Sequence, residues 1–203
     1  MQPNMDPRNL INALHQNAAV ELVSLMDGFY SNIEDGLFEL AYTNENQDQQ
    51  RRTVELMREL RFRREHLLKV FSRRLQSAVE AWFAEDKTPE YLEERLDADR
   101  IATKCASHFS GLLQMIAERA GQATGREMDR RALPISPEEV SYHFVMSCRT
   151  LEFDQMSVST VHGLFQRFVL ERMGSVYAII NQKLHDNGFC TRAEQDNSSV
   201  FSA

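Results

Sequence analysis

The sequence predicts an all-α domain, a bundle of five or six helices, from three observations. Apolar residues recur at i, i+3, i+4 and i+7 through most of the chain, the spacing that lines one face of a helix. No alternation of apolar and polar residues runs long enough to compete as a strand. Proline and glycine, the residues that break helices, number only five and eight in 203 residues. A chain of this length buries one full core or at most two small ones. Its 42% hydrophobic and 26% charged content is that of a globular domain, not of a disordered segment.

The first helix starts near Pro7, with Asp6 as N-cap and Pro7 where a missing N–H costs nothing. Leu10, Leu14, Leu22, Leu25, Met26 and Phe29 recur at helical spacing. Asp27-Gly28 is a candidate interruption, after which Ile33, Leu37, Leu40 and Ala41 resume the pattern. Thr43 to Gln47 reads as a polar turn. A long amphipathic second helix follows, about residues 48–84, with Met57, Leu60, Leu67, Phe71, Leu75, Ala78 and Trp82 on one face. At 1.5 Å per residue it extends for about 50 Å. Glu85 to Pro89 breaks it, and the acidic segment from Glu90 to Asp99 leads into a third helix ending near Ala123. The stripe of that helix is Ile101, Cys105, Phe109, Leu112, Leu113 and Ile116, and Gly121 to Pro134 reads as a loop.

The sharpest start signal is Ser136-Pro137-Glu138-Glu139: a capping serine, a proline at the first helical position and a glutamate completing a capping box. The fourth helix runs from there to about Arg149. A second long amphipathic helix, about 155–186, opens at Asp154 or Ser157 and buries Val161, Leu164, Phe165, Phe168, Val176, Ile180 and Leu184. Gly188 is placed as a left-handed C-cap, with Phe189 packing back on the last turn. Residues 1–189 are expected to form a single domain, and 190–203 a polar tail or the start of a linker.

Charge is distributed less evenly than apolarity. The chain has a net charge of −7, yet Arg51 to Arg74 holds eight arginines and one lysine against three glutamates. Glu80 to Asp99 then carries eight acids and two bases. An acidic chain of this kind is not a general nucleic-acid binder, because such domains are basic over a whole face. A basic zipper arm would continue into strict heptads, whereas Trp82 and the acidic segment follow here. No stretch approaches the ~18 apolar residues of a membrane span, and MQPNMDPRNL has no basic-then-apolar leader. Three widely spaced cysteines, Cys105, Cys148 and Cys190, fit reduced thiols in a cytoplasm.

On a helical wheel Arg51, Arg58, Lys69 and Arg73 lie on the solvent side of the second helix. Arg52, Arg63 and Arg74 cluster on a flank, Arg61 sits at the edge of the apolar stripe, and Arg64 falls in its middle. A guanidinium there must snorkel or find a carboxylate, so an internal ion pair with another helix is the plain expectation for Arg64. The other bases have the acidic 80–99 segment, of the same chain or of a second copy, as candidate partners. Phe62, on the polar side among these arginines, is a candidate anchor for a partner. Cys105-x-x-His108, with His143 and Cys148 on another helix, lacks the paired spacing of a structural zinc site, so no metal or cofactor is expected. His66, His143, His162 and His185 have no acidic partner at motif spacing, and the acids read as solvated helix faces.

The segment IEDGLFELA (33–41), then MRELRFRREHLLKVF (57–71), resembles the opening of an uncharacterised proteobacterial family, domain-of-unknown-function family 1631. The proline-marked helix start and LFQRFVLERMGSVYAIINQKLHDNGF (164–189) extend the resemblance over about residues 20–189. It implies a cytoplasmic bacterial protein with no established activity, and that Arg61, Arg64, Tyr177 and Asn181 occupy family positions. Tyr177 and Asn181, four apart, are expected to be structural hydrogen-bonding residues. Members are usually longer, so the chain is expected to be an N-terminal domain or a truncated member. Some are labelled thymidine phosphorylases, but no glycine-rich phosphate cradle and no strand–helix alternation supports that here.

These observations point to a non-catalytic regulatory or protein-interaction domain, with Arg52, Arg63 and Arg74 as the docking flank and a protein, self-association included, as partner. The alternative is a nucleotide sensor, for a cyclic dinucleotide, using Arg58, Arg61 and Arg64, although no DxSxxG motif accompanies them. An enzyme is the third alternative.

Overall fold

Seven α-helices and two single 3₁₀ turns follow one another in the computed structural model, which describes residues 7–43, 46–81, 92–151 and 155–194. The helices are α1 (Pro7–Thr43), α2 (Gln47–Glu80), α3 (Leu92–His108), α4 (Ser110–Thr124), α5 (Pro137–Cys148), α6 (Gln155–Phe168) and α7 (Gly174–Asp186). The 3₁₀ turns are Arg130–Ala132 and Leu170–Arg172. Among the described residues there is no strand, so the chain is all-α. The expected Asp6 cap, the roles of Trp82, Glu85 to Pro89 and Glu90, the Asp154 start and residues 195–203 lie outside the described residues, as does the side chain of Leu40.

Helix α1 runs through Asp27-Gly28 without interruption. Its buried stripe, Leu10, Leu14, Ala18, Leu22, Met26, Phe29, Ile33 and Leu37, continues in phase across the glycine. Asn46 caps α2, its Oδ1 accepting from the amide of Asp48 at 2.9 Å. The α2 stripe of Leu56, Leu60, Leu67, Phe71, Leu75 and Val79 packs against α1 and α5. The two long helices are antiparallel, since Arg61 meets Glu34 while Arg64 meets Asp27.

Two expected helices are each divided. The third breaks at Phe109 into α3 and α4, and the fifth breaks at 169–173 into α6, a 3₁₀ turn and α7. The breaks meet: the Phe109 ring lies against Tyr177, centroids 5.2 Å apart, and a Cβ on Gly174 would stand 3.5 Å from that ring. Bending both chains here lets a large ring enter the core between them. Leu112 accordingly turns outward and leaves the expected stripe.

Helix α5 is buried nearly all round, against α3 on one side and α2 on another. Ser136 Oγ accepts from the Glu139 amide at 3.1 Å, as the capping signal predicts. The Ser136 amide is taken by the Leu133 carbonyl, and the Glu139 side chain turns to Arg95 at 3.0 Å. Phe144 of α5 stacks on Phe165 of α6 at 3.8 Å, and Phe29 of α1 meets both edge-on, which joins three helices. Each such ring contributes roughly 1.5–3 kcal/mol by burial, and each pair about 0.5–1.5 more.

Two glycines in helices have opposite surroundings. A Cβ on Gly121 would lie 2.6 Å from the carbonyl oxygen of Arg126, which is backbone and cannot swing aside. A Cβ on Gly28 would meet nothing within 4 Å. Gly121→Ala is therefore expected to destabilise by about 1–3 kcal/mol, and Gly28→Ala to stabilise by about 0.5–1 kcal/mol, as measured by urea unfolding.

Candidate interaction surface

Packing of α1 on α2 divides the arginines of α2 by what they face. Arg61 is engaged by Glu34 of α1, its Nε donating to Oε1 at 2.8 Å and its Nη2 to Oε2. The same contact holds the Glu34 carboxyl below the usual carboxylate range, chiefly through the Arg61 hydrogen bond. Arg64 Nη2 donates to Asp27 Oδ1 at 2.6 Å and to Ser31 Oγ at 3.1 Å. Its side chain is 37% exposed and not sealed in the apolar face, because the α1 surface it meets is polar. The guanidinium leaves the stripe edge toward that surface and is paired inside the domain.

The flank of Arg52, Arg63 and Arg74 does not share one environment. Arg52 is exposed. Arg63 is half-exposed and bound to Glu59 on its own helix at 2.5 Å. Arg74 is half-buried under α5, its guanidinium 5.8 Å from the Tyr142 ring centre and its Nε sealed from solvent without a hydrogen bond. The wheel places these three on one side of α2, but α5 covers the C-terminal end of that side.

A different row stays open. Arg58, Phe62, His66, Lys69 and Arg73 recur at spacings of three and four along the outer face of α2, and all are exposed. They span 16 residues, about 22 Å from first to last. Arg58, Lys69 and Arg73 have no carboxylate within ion-pair distance among the described residues, and Phe62 between them is 87% exposed. Glu65 is the carboxylate on this stretch of the face; Arg51 and Glu55, beyond its N-terminal end, pair with each other at 3.2 Å. The face presents unneutralised cations around one large apolar ring.

The described part of the acidic segment after α2, from Leu92 on, does not neutralise it. Among the described residues, Glu94 binds Arg149 at 3.0 Å, Asp97 binds Arg100 at 2.6 Å and Asp99 approaches Arg131 at 3.8 Å. These carboxylates turn to α5, to the turn before it and to α3 itself, because α3 packs on α5.

The family model described as "Protein of unknown function (DUF1631) N-terminal domain" matches residues 6–188. The chain belongs to the DUF1631 family. Comparison with curated proteins and with solved structures gives no match.

Elsewhere in this DUF1631 domain a cleft of about 430 Å³ is lined by Asp99, Thr103, Ser107, Ser110, Arg130, Arg131 and Glu138, among others. Its charges largely cancel, since Arg131 is held by Glu138 at 3.2 Å and faces Asp99. No group of three or more metal-ligating side chains occurs among the described residues, and Cys105 is buried while His108 is exposed. Tyr177 donates to the Ile135 carbonyl at 3.0 Å, tying α7 to the turn before α5, and Asn181 Nδ2 donates to the Leu112 carbonyl at 3.2 Å, tying α7 to α4. Arg119, which helical spacing did not single out, is buried and bonded to Asn181 through Nη1. It had a signal, since Arg119 falls three residues after Ile116 on the apolar side of α4.

His143 lies on the buried side of α5, both ring nitrogens sealed. Burial first, then Arg74 of α2 and Arg95 of α3, pushes its pKa down to about 3 from the usual 6.5. Between those values the unfolded chain binds one more proton than the folded one, so this residue's contribution falls as pH drops from about 6.5 toward 3. Urea unfolding across pH 7.5–4.5 should show wild type losing stability faster than His143→Leu. The difference should approach about 1.4 kcal/mol per pH unit below pH 6.

Proposed function

We propose that this DUF1631 domain is a non-catalytic regulatory or protein-interaction module of the bacterial cytoplasm, and that the outer face of α2 docks an acidic partner. The observation that carries this reading is the row of exposed, unneutralised cations, Arg58, Lys69 and Arg73, around Phe62. Aromatic and arginine side chains together anchor protein interfaces, and unpaired charge steers encounter. The partner surface that fits is a helix or strand with an apolar socket flanked by carboxylates. Free thiols at Cys105, Cys148 and Cys190 agree with a reducing, cytoplasmic setting. A nucleotide gathered by Arg58, Arg61 and Arg64 has less support, because Arg61 and Arg64 are spent on α1 carboxylates.

A photo-crosslinking amino acid at position 62 tests the proposal in cells. An adduct to an acidic protein, or to a second copy of the chain, is expected there and not at the exposed control position Gln182. Reversing Arg58, Lys69 and Arg73 to glutamate should reduce the adduct at least tenfold, and raising salt should weaken it in lysate. Equal adducts at both positions, or an adduct indifferent to charge reversal, would contradict the proposal.

A further inference from the structure

Past Gly188 the described residues, 189–194, stay against the bundle. Gly188, at φ +84°, reverses it, and the Phe189 amide returns to the Leu184 carbonyl at 3.1 Å. Residues 190–194 then lie along α4, with 192–194 in helical conformation. The Cys190 amide donates to Gln122 Oε1 at 2.7 Å and the Arg192 amide to Glu118 Oε2 at 3.2 Å. Glu194 closes the segment on itself, its Oε2 accepting from the Thr191 amide at 2.7 Å. Its other oxygen accepts from Arg119 Nη2 at 2.8 Å.

Arg119 makes this more than a surface contact. Its side chain is 5% exposed, and Nη1 is already committed to the carbonyl and side-chain oxygens of Asn181 at 3.2 and 3.0 Å. Among the described residues Glu194 is the carboxylate that pairs with it. A buried guanidinium that loses its counter-charge is costly, so lifting the segment strands Arg119. One residue thus joins α4, the last turns of α7 and the departing chain.

We propose that residues 190–194 form a latch, locked by the Glu194 charge on Arg119, which fixes the direction in which the chain leaves the bundle. With the latch shut, residues 190–194 lie alongside α4. With it open, the chain swings from Gly188, and Arg119 becomes a socket for another carboxylate.

Limited trypsin digestion of the full chain reads the latch, because the Arg192–Ala193 bond lies within it. In wild type this bond should be cut slowly. In Glu194→Ala and in Glu194→Gln it should be cut at least tenfold faster, with cleavage inside α4 unchanged, and the Thr191 amide should lose its hydrogen-exchange protection. Wild type cut as fast as Glu194→Ala would overturn the latch, and Glu194→Gln as slow as wild type would overturn the role of the charge. Equal acceleration at every site would show a general loss of stability and also overturn the proposal.

Discussion

The antiparallel packing of α1 on α2 is the constraint on which the remaining structure depends. It buries the Leu14-to-Leu37 stripe against Leu56, Leu60 and Leu67. It also decides which arginines are structural. Arg61 and Arg64 face α1 and are taken by Glu34 and Asp27. These pairs stay partly in solvent and contribute little stability. What they do is fix which side of α2 looks inward, and so leave Arg58, Phe62, Lys69 and Arg73 on the outside.

A second constraint is the burial of α5. A helix surrounded on nearly all sides cannot carry charge freely, so its acids are matched locally, as are Glu94, Asp97 and Asp99 of α3. Glu138 takes Arg131, Glu139 takes Arg95, and Glu94 takes Arg149 at the far end. Tyr142 receives the Arg95 guanidinium at 4.2 Å and the Arg74 guanidinium at 5.8 Å from its ring centre. Glu94 and Asp99, in the described part of the acidic stretch, therefore serve the packing of α3 on α5 and the turn before it. The charge reversal visible along the chain is not one surface facing another. Among the described residues, the acids of α3 turn to α3, α5 and the turn before α5, while the outer row of α2 and Arg52 stay open.

Periodicity made the helices legible because every one of them has a buried side. It did not reveal the breaks at Phe109 and 169–173, and the reason is physical. Phe109 still donates to the Cys105 carbonyl and accepts from Leu113, so the apolar spacing runs through the bend unchanged. Gly188 and Ser136 were legible because a left-handed residue and a capping hydroxyl are local requirements. The different surroundings of Arg52, Arg63 and Arg74 were not. A wheel drawn for α2 alone records angle but not where α5 lands, and Arg74 shares an angle with Arg52 while lying under α5. Arg119 was hidden for the opposite reason: its charge drew attention away from its place on the apolar side of α4.

The central claim is that the outer row of α2 is not used by the fold. Three charge reversals there should leave the core untouched, since exposed substitutions away from caps and pairs rarely exceed about 0.5 kcal/mol each. The direct measurement is the urea-unfolding free energy of the Arg58→Glu, Lys69→Glu, Arg73→Glu triple variant against wild type. A change within about 1.5 kcal/mol in total, with the same slope, is predicted. A loss of several kcal/mol, or a variant that does not fold, would place those cations inside the structural network and contradict the account.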